Sequence, residues 1–144
     1  MTPAPRDDPY KQFNFRVEID GVALAAFSEV SGLASETDVI EYRTGTESNR
    51  VRKLPGLTRH SNIVLRRGVT QDAELWNWRK TVEDGQVDRR NGSIVLLGDD
   101  RTEVVRWNFA DGWISKWEGP ALNAEGNDVA IETIEIAHEG LSRA

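Results

Sequence analysis

Residues 53–78 read KLPGLTRHSNIVLRRGVTQDAELWNW, and the order of features in this stretch decides the fold. Pro55 fixes its own φ, and Gly56 can take the positive φ needed at the third position of a type II turn, so a turn is expected there. From Leu57 the chain alternates, with Ile63 and Leu65 on one face and Asn62, Val64 and Arg66 on the other, which is the period of a half-buried strand. Gly68 breaks that strand. Thr70 is placed to cap a helix whose first turn carries Asp72 and Glu74, acids suited to the positive end of the helix dipole. Leu75, Trp78 and Val82 recur at i, i+3 and i+7 as one buried stripe, and Gly85 stands where a C-cap belongs. The stretch predicts a strand and a helix set in an otherwise β chain.

Upstream, FNFRVEI places Phe13, Phe15, Val17 and Ile19 on one face. Asp20-Gly21 is the signal of a two-residue type I′ hairpin. The turn sets Ile19 opposite Val22 and Val17 opposite Leu24, so apolar sides coincide, and the returning strand carries Val22, Leu24, Ala26 and Ser28 on one face. After a Ser31-Gly32-Leu33 loop, residues 37–43 form a strand with Ile40 and Tyr42 against Thr37, Val39, Glu41 and Arg43. Residues 44–56, TGTESNRVRKLPG, join this strand to the next as a long antiparallel hairpin. That connection is polar, basic at its end and longer than a hairpin needs, and long ordered loops are usually functional.

Downstream, Arg89-Arg90-Asn91-Gly92 leads into Ser93–Leu97, an apolar run suited to a strand covered on both faces. Asp99-Asp100 is a turn. Val105, Trp107 and Phe109 share the apolar side of the following strand. Trp113 and Trp117 follow in a strand interrupted at Gly112 and ended by Gly119-Pro120, and LNAEGN is a loop. From Val129 to His138, Val129 and Ile131 fall on the opposite parity to Ile134 and Ile136, so a β-bulge near Glu132-Thr133 is expected. The sum is about eight strands and one helix. We read a mainly β fold of two packed antiparallel sheets, a barrel-like sandwich with one flanking helix. A single domain spans 13–144 behind a flexible N-terminal arm, 1–12, in a region holding three of the five prolines.

Composition narrows the function. With 38% apolar and 29% charged residues the chain reads as globular. No apolar run approaches the ~20 residues of a membrane span, and MTPAPRDDPY has no hydrophobic signal region, so a cytosolic protein is expected. The absence of cysteine removes disulfides, thiolate metal sites and Cys nucleophiles together. A formal charge of −6 argues against a general nucleic-acid binder. His60 and His138 are the only histidines, so no imidazole cluster exists, and no segment has the acid spacing of a Ca²⁺ loop. There is no nucleophile elbow, P-loop or dinucleotide fingerprint. No catalytic residue, metal or cofactor is therefore assigned, and the chain is read as no enzyme. Trp78, Trp107 and Trp113 lie on the apolar phase of their elements and are expected in the core. The alternative to a structural role is a carbohydrate- or nucleic-acid-binding β-sandwich module using exposed Trp and the Arg66-Arg67 and Arg89-Arg90 pairs, though adjacent strand residues face opposite ways.

The strands 37–43 and 60–67 form a ribbon with one apolar and one polar face. Such a ribbon suits a sheet that continues into neighbouring chains, where its edges would otherwise be unpaired. If the sheets close in a ring, polar faces line a pore while apolar faces pack on each subunit's own core.

FNFRVEIDG with SEVSGL, KLPGLTRHSNIVLRRGVT, LWNW, RRNGSIVLL and KWEGPALNAEGNDVAIETIEIAHEGL, in that order from Phe13 to Leu141, resembles the phage tail-tube protein family. That family includes contractile-tail tubes and the inner tubes of phage-tail-like contractile injection systems. The resemblance implies six-fold rings stacked into a tube inside a contractile sheath. Its partners are then copies of itself, the sheath protein, baseplate or spike and tube-terminating proteins, and a cargo of protein effector or DNA in the channel, with no membrane anchor. Assembly in a bacterial cytoplasm and residence in a phage tail or injection particle follow. It also implies that residues 44–56 are a ring-stacking loop, with Gly45, Glu47, Asn49, Arg50, Arg52, Lys53, Pro55 and Gly56 as its working positions. Glu41, Arg43, Asn62, Val64 and Arg66 become candidates for the channel wall.

Overall fold

A computed structural model describes residues 14–24, 27–43, 45 and 49–144. The arm 1–12, Phe13, Ala26 and Glu47 lie outside the described residues. Among the described residues there are ten strands and one helix. The hairpin expected at Asp20-Gly21 forms as predicted. β1 (Phe15–Ile19) and β2 (Val22–Leu24) pair with Val17 opposite Leu24 and Ile19 opposite Val22. Both turn residues have positive φ, 51° and 78°, as a type I′ turn requires. β2 ends at Leu24, and Ser28 belongs to a different sheet.

β7 (Arg90–Leu97) pairs with β1 on one side and with β8 (Glu103–Glu118) on the other. Its segment Ser93–Val95 is buried throughout, as an apolar run covered on both faces should be. β8 is one 16-residue strand that passes through Gly112 without stopping. Asp111, at φ 55°, and register shifts bend it there, so its first half belongs to one sheet and its second half to another. Sheet I is β2-β1-β7-β8, with β10 (Gly140–Arg143) added beside residues 107–110. Sheet II is the second half of β8 with β9 (Ile131–Ala137), β6 (Ile63–Gly68) and β3 (Phe27–Ser31). The fold is thus two antiparallel sheets sharing one bent strand.

One apolar cluster fills the space between them. Val17, Ile19, Ile94 and Phe109 come from sheet I, Ile63, Leu65, Ile114, Ile134 and Ile136 from sheet II, and Leu75 and Trp78 from the helix. Fully burying such side chains stabilises by roughly 1.5–3 kcal/mol each. Close packing is enforced at Gly92, where a Cβ would run into the Phe109 ring.

The helix α1 (Glu74–Glu83) starts later than the sequence suggests. Thr70 is not its cap. The Thr70 hydroxyl accepts the N–H of Asp72 at 3.3 Å, and the Asp72 carboxylate accepts that of Glu74 at 3.1 Å. Ala73, which has no capping side chain, holds the N-cap position. Leu75 and Trp78 are buried and Val82 half-buried, so the predicted stripe is real. At the other end Gly85 (φ 79°) donates to the Val82 carbonyl and Gln86 to that of Thr81, closing a Schellman motif.

Two further expectations are corrected. Pro55-Gly56 makes no turn, because β5 (Arg52–His60) runs straight through it, paired with β4 (Ser35–Tyr42). Val39 faces Pro55 and Thr37 faces Thr58, so Gly56 and Leu57 stand together opposite Asp38 as a bulge. A two-stranded ribbon is all edge, which is where proline is tolerated. In β9 no bulge occurs at Glu132-Thr133, since its pairing with β6 is unbroken from Ile136 to Ile131. The parity conflict resolves because Val129 precedes the strand and is exposed, while Glu132 takes the inner face, buried beside Arg67 at 2.7 Å. Arg67 also stacks on Phe27. The bulge lies instead in β8, between Ile114 and Lys116.

Candidate functional site

Two features are left over once the core is formed: the outer face of sheet II and the ribbon that projects from it. The ribbon is built by register. Ser31 lies opposite Val64 and, four residues further along both strands, Ser35 lies opposite His60. The β4–β5 pair is therefore the β3–β6 pair continued in step, with Ser61 N–H donating to the Ala34 carbonyl across the join at 3.3 Å. The strand read from Leu57 through Arg67 breaks at this join. Gly32 allows it, with φ 87° and Asn62's backbone occupying the space of a Cβ. His138 pins it from the body, Nε2 lying 3.0 Å from the Ser61 carbonyl oxygen.

Beyond the join the ribbon leaves the core. Bulge and pleat place Ile40, Leu54, Leu57 and Tyr42 on one face, with Asp38 and Arg59 ion-paired at 2.7 Å near its root. Gly56 belongs to the same face, because a Cβ on it would press on the Ile40 side chain at 3.2 Å. Val39, Pro55, Glu41 and Lys53 occupy the other face, beside a Thr37–Thr58 hydroxyl contact of 3.0 Å. The expectation that the apolar face packs on the subunit's own core is overturned: Ile40, Leu54 and Leu57 are 51%, 45% and 73% exposed. Both faces of the ribbon meet solvent in the single chain.

The stacking-loop positions divide accordingly. Gly45, Asn49 and Arg50 lie, exposed, in the connection between β4 and β5. Arg52, Lys53, Pro55 and Gly56 are strand residues of β5, because the hairpin zips up further than turn chemistry suggested.

The channel-wall positions divide too. Asn62, Val64 and Arg66 lie at the join and on the outer face of sheet II. Glu41 is across the ribbon from Lys53, and Arg43 follows β4, so neither belongs to that sheet face. The face holds residues that the sequence reading missed. Arg66 is flanked by Glu29 and Thr133, and Val64 by Ser31 and Glu135. Lys116 lies opposite Glu135 and Glu118 opposite Thr133. The signal was present in ETIEIA, where Thr133 and Glu135 alternate with the buried Ile134 and Ile136. Lys116 and Glu118 were hidden by the bulge at Ser115, which shifts the parity of β8.

Charges of both signs alternate across this face. Arg66 stands 3.8 Å from Glu29, Lys116 stands 3.7 Å from both Glu118 and Glu135, and the Asn62 amide reaches Glu135 at 3.5 Å. Exposed pairs this loose stabilise by about 0–1 kcal/mol at most, so the pattern serves the surface more than the fold. The outer face of sheet I carries a tighter network. Arg106 donates to Glu18 and Glu103, holding both carboxyls below the usual carboxylate range, and Arg16 adds to it at 2.7 Å from Glu18.

A binding module is not favoured by these contacts. Arg67 is buried on Glu132, while Arg89 pairs with Glu139 and Arg90 with Asp88. Trp78 is buried, Trp107 and Trp117 pack against the core, and Trp113 lies half-buried opposite Ala137, outside it. Among the described residues no group of three or more side chains could hold a metal ion, and no helix is long and apolar enough to cross a membrane.

Comparison with known proteins fits these surfaces. No curated protein sequence matches the chain. Among solved structures it is similar to a chain of the extended PVC sheath-tube complex of an extracellular contractile injection system, at 28% identity and TM-score 0.86 over 96% of this chain and 93% of that one. It is similar to a chain of the anti-feeding prophage tube-terminating cap at 25% identity and TM-score 0.89, over 99% and 95%. Hcp1 from Flavobacterium johnsoniae, at 17% identity and TM-score 0.60 over 91% and 94%, shares the fold. The family model for the T4-like virus tail tube protein gp19 matches residues 11–142, and the chain belongs to that tail tube family.

Proposed function

We propose that copies of this tube protein join side by side through sheet II into six-fold rings around a channel, and that the rings stack inside a contractile sheath. The observation that carries this reading is the outer face of sheet II, a wet, charge-alternating wall backed by a dry one. Glu29, Asn62, Val64, Arg66, Lys116 and Glu135 face the channel. Charges of both signs keep water on the wall and offer a passing cargo, protein effector or DNA, no apolar patch on which to stick.

The edges of sheet II support the lateral contact. Among the described residues no strand pairs with the outer side of β3, nor with residues 115–118 of β8 on the side away from β9. At Ile114 the Arg79 guanidinium donates to the carbonyl at 2.8 Å, which marks where pairing of that edge stops. An open strand edge is a template for another strand, and a ring satisfies every such edge at once. A closed barrel of joined sheets is stiff, as a tube driven by a contracting sheath must be. The particle assembles in the bacterial cytoplasm, and the connection between β4 and β5 bridges successive rings.

Negative-stain microscopy of the purified protein tests this. Uniform rings or tubes with a stain-filled channel are expected. Individual particles at every concentration would overturn it. Removing residues 46–52 is expected to leave rings and abolish stacks.

A further inference from the structure

The two ends of sheet II differ, and each carries something the other lacks. β6 runs from the ribbon root at Asn62 to Gly68, so its cross-strand rows report height along the subunit. Ile63 and Ile136 lie next to the ribbon. Leu65 with Ile134 and Trp117, then Arg67 with Glu132, lie progressively further away. At that remote end a cleft of about 310 Å³ opens between the sheet and the start of α1, bounded by Thr70, Asp72, Ala73, Trp76, Trp117 and Glu132. Trp76 stands edge-on to Trp117, with ring centres 5.2 Å apart, yet remains 45% exposed. A half-open indole pair is an unusual thing to leave in water.

The near end carries the ribbon, whose face of Ile40, Tyr42 and Leu54 is uncovered by its own chain. Stacked rings make a head-to-tail contact, in which one end of a subunit must complement the other end of the next. Charge agrees. Residues 41–54 hold four basic side chains, Arg43, Arg50, Arg52 and Lys53, against two acidic ones. The remote cleft carries the opposite sign: Asp72 lines it beside the ion-paired Arg67 and Glu132, and Glu74 follows Asp72 at the helix start.

We infer that the Trp76–Trp117 cleft is the seat for the ribbon of a copy in the adjacent ring, Ile40, Tyr42 and Leu54 covering the indoles while the basic tip lies along Asp72 and Glu74. This rests on the stacked-ring reading above and adds the surface on which the ribbon lands. Buried aromatic anchors of this kind dominate interface energetics.

The chain has no cysteine, so pairs can be introduced cleanly. The double variant Leu54→Cys, Ala73→Cys, assembled and treated with a short bis-maleimide, is expected to give a ladder of covalent multimers on a denaturing gel. A head-to-tail contact propagates, whereas either single variant stops at two copies. Tubes that form without a ladder overturn the inference and leave the tube reading intact; failure of the unmutated protein to form rings strikes the tube reading itself. Trp76→Arg gives an independent measure, with rings expected to persist while mean tube length falls roughly tenfold or more, the loss of one interface anchor. Tubes of unmutated length in Trp76→Arg would also overturn it.

Discussion

The same two strands make both the most protected and the most exposed apolar surfaces of this protein. On the body side of the Gly32–Asn62 join, Ile63 and Leu65 have no solvent exposure. On the ribbon side, which continues the pairing in step across the join, Ile40, Tyr42, Leu54 and Leu57 are about half or more exposed. Alternation therefore marks a face that will be covered, without saying which molecule covers it. In the body the cover is the chain's own second sheet and helix. In the ribbon, on the stacked-ring reading proposed above, it is a copy. The lesson is that stability and assembly are written in the same pattern on one pair of strands, and substitutions on the two sides of the join should separate them.

The largest effects belong to the body. Trp78 is fully buried and donates its indole N–H to the Asp88 carbonyl at 2.6 Å. Trp78→Ala removes the largest buried side chain and orphans that carbonyl, with an expected loss of about 3–5 kcal/mol, read by denaturant unfolding of the unassembled protein. Glu132→Ala belongs to the same class by a different route. It leaves Arg67 buried without its partner, a loss of about 3–5 kcal/mol. Replacing both, as Arg67→Met with Glu132→Leu, should restore most of that stability, because the desolvation cost of two buried charges disappears with them. If the double variant is no more stable than Glu132→Ala, the pair contributes more than mutual compensation.

These residues also show how far the sequence could be read. The hairpin at Asp20-Gly21 and the helix stripe through Leu75 and Trp78 were legible because local chemistry and periodicity agreed. The two-sheet class with its flanking helix followed, and motif order identified the family. Three features were illegible for physical reasons. Pro55-Gly56 has turn chemistry, but cross-strand pairing of β4 with β5 overrode it. Glu132 interrupts an apolar parity, and only the long-range partner Arg67 explains a charge there. The bulge at Ser115 inverts β8, so Lys116 and Glu118 could not be placed on the wet face from alternation alone. Asn62, Val64 and Arg66 share one face because β6 is regular, whereas Glu41 and Arg43 lie beyond a join that changes the strands' surroundings, and alternation does not announce that join.

A smaller effect, on the outer face of sheet I, sharpens the comparison by adding pH. Arg106 holds the Glu18 carboxyl below the usual carboxylate range, chiefly by a direct hydrogen bond, with Arg16 contributing, and the Glu18 side chain is only 13% exposed. A carboxyl whose native value is depressed stabilises the fold above its ordinary pKa, and the contribution is lost as pH falls through the native value. Glu18→Gln is expected to lose about 1–2 kcal/mol at neutral pH. The gap in Tm between the two proteins should narrow below about pH 4 and close once the native carboxyl is itself protonated. A gap independent of pH would mean that shape at position 18 matters and its charge does not.

The smallest effect on folding should be the most damaging to assembly. Ile40→Ser changes a side chain that is 51% exposed and touches no buried core residue's cluster. Surface substitutions of this kind shift stability by about 0.5 kcal/mol or less. The unassembled protein should therefore melt within a degree or two of the unmutated one, about what that energy produces in a chain of this size. Assembly should respond differently, because on the proposed stacking the same methyl groups pass from water in the free ribbon to cover in the stack, and the whole transfer energy would appear in the contact. Each ring repeats that contact at every subunit, which multiplies a small loss per copy into a large one per ring. Light scattering over a concentration series should show the onset of stacking moved to higher concentration with the melting curve unmoved. A shift in melting without a shift in stacking would place Ile40 in the body's economy and erase the distinction drawn between the two sides of the join.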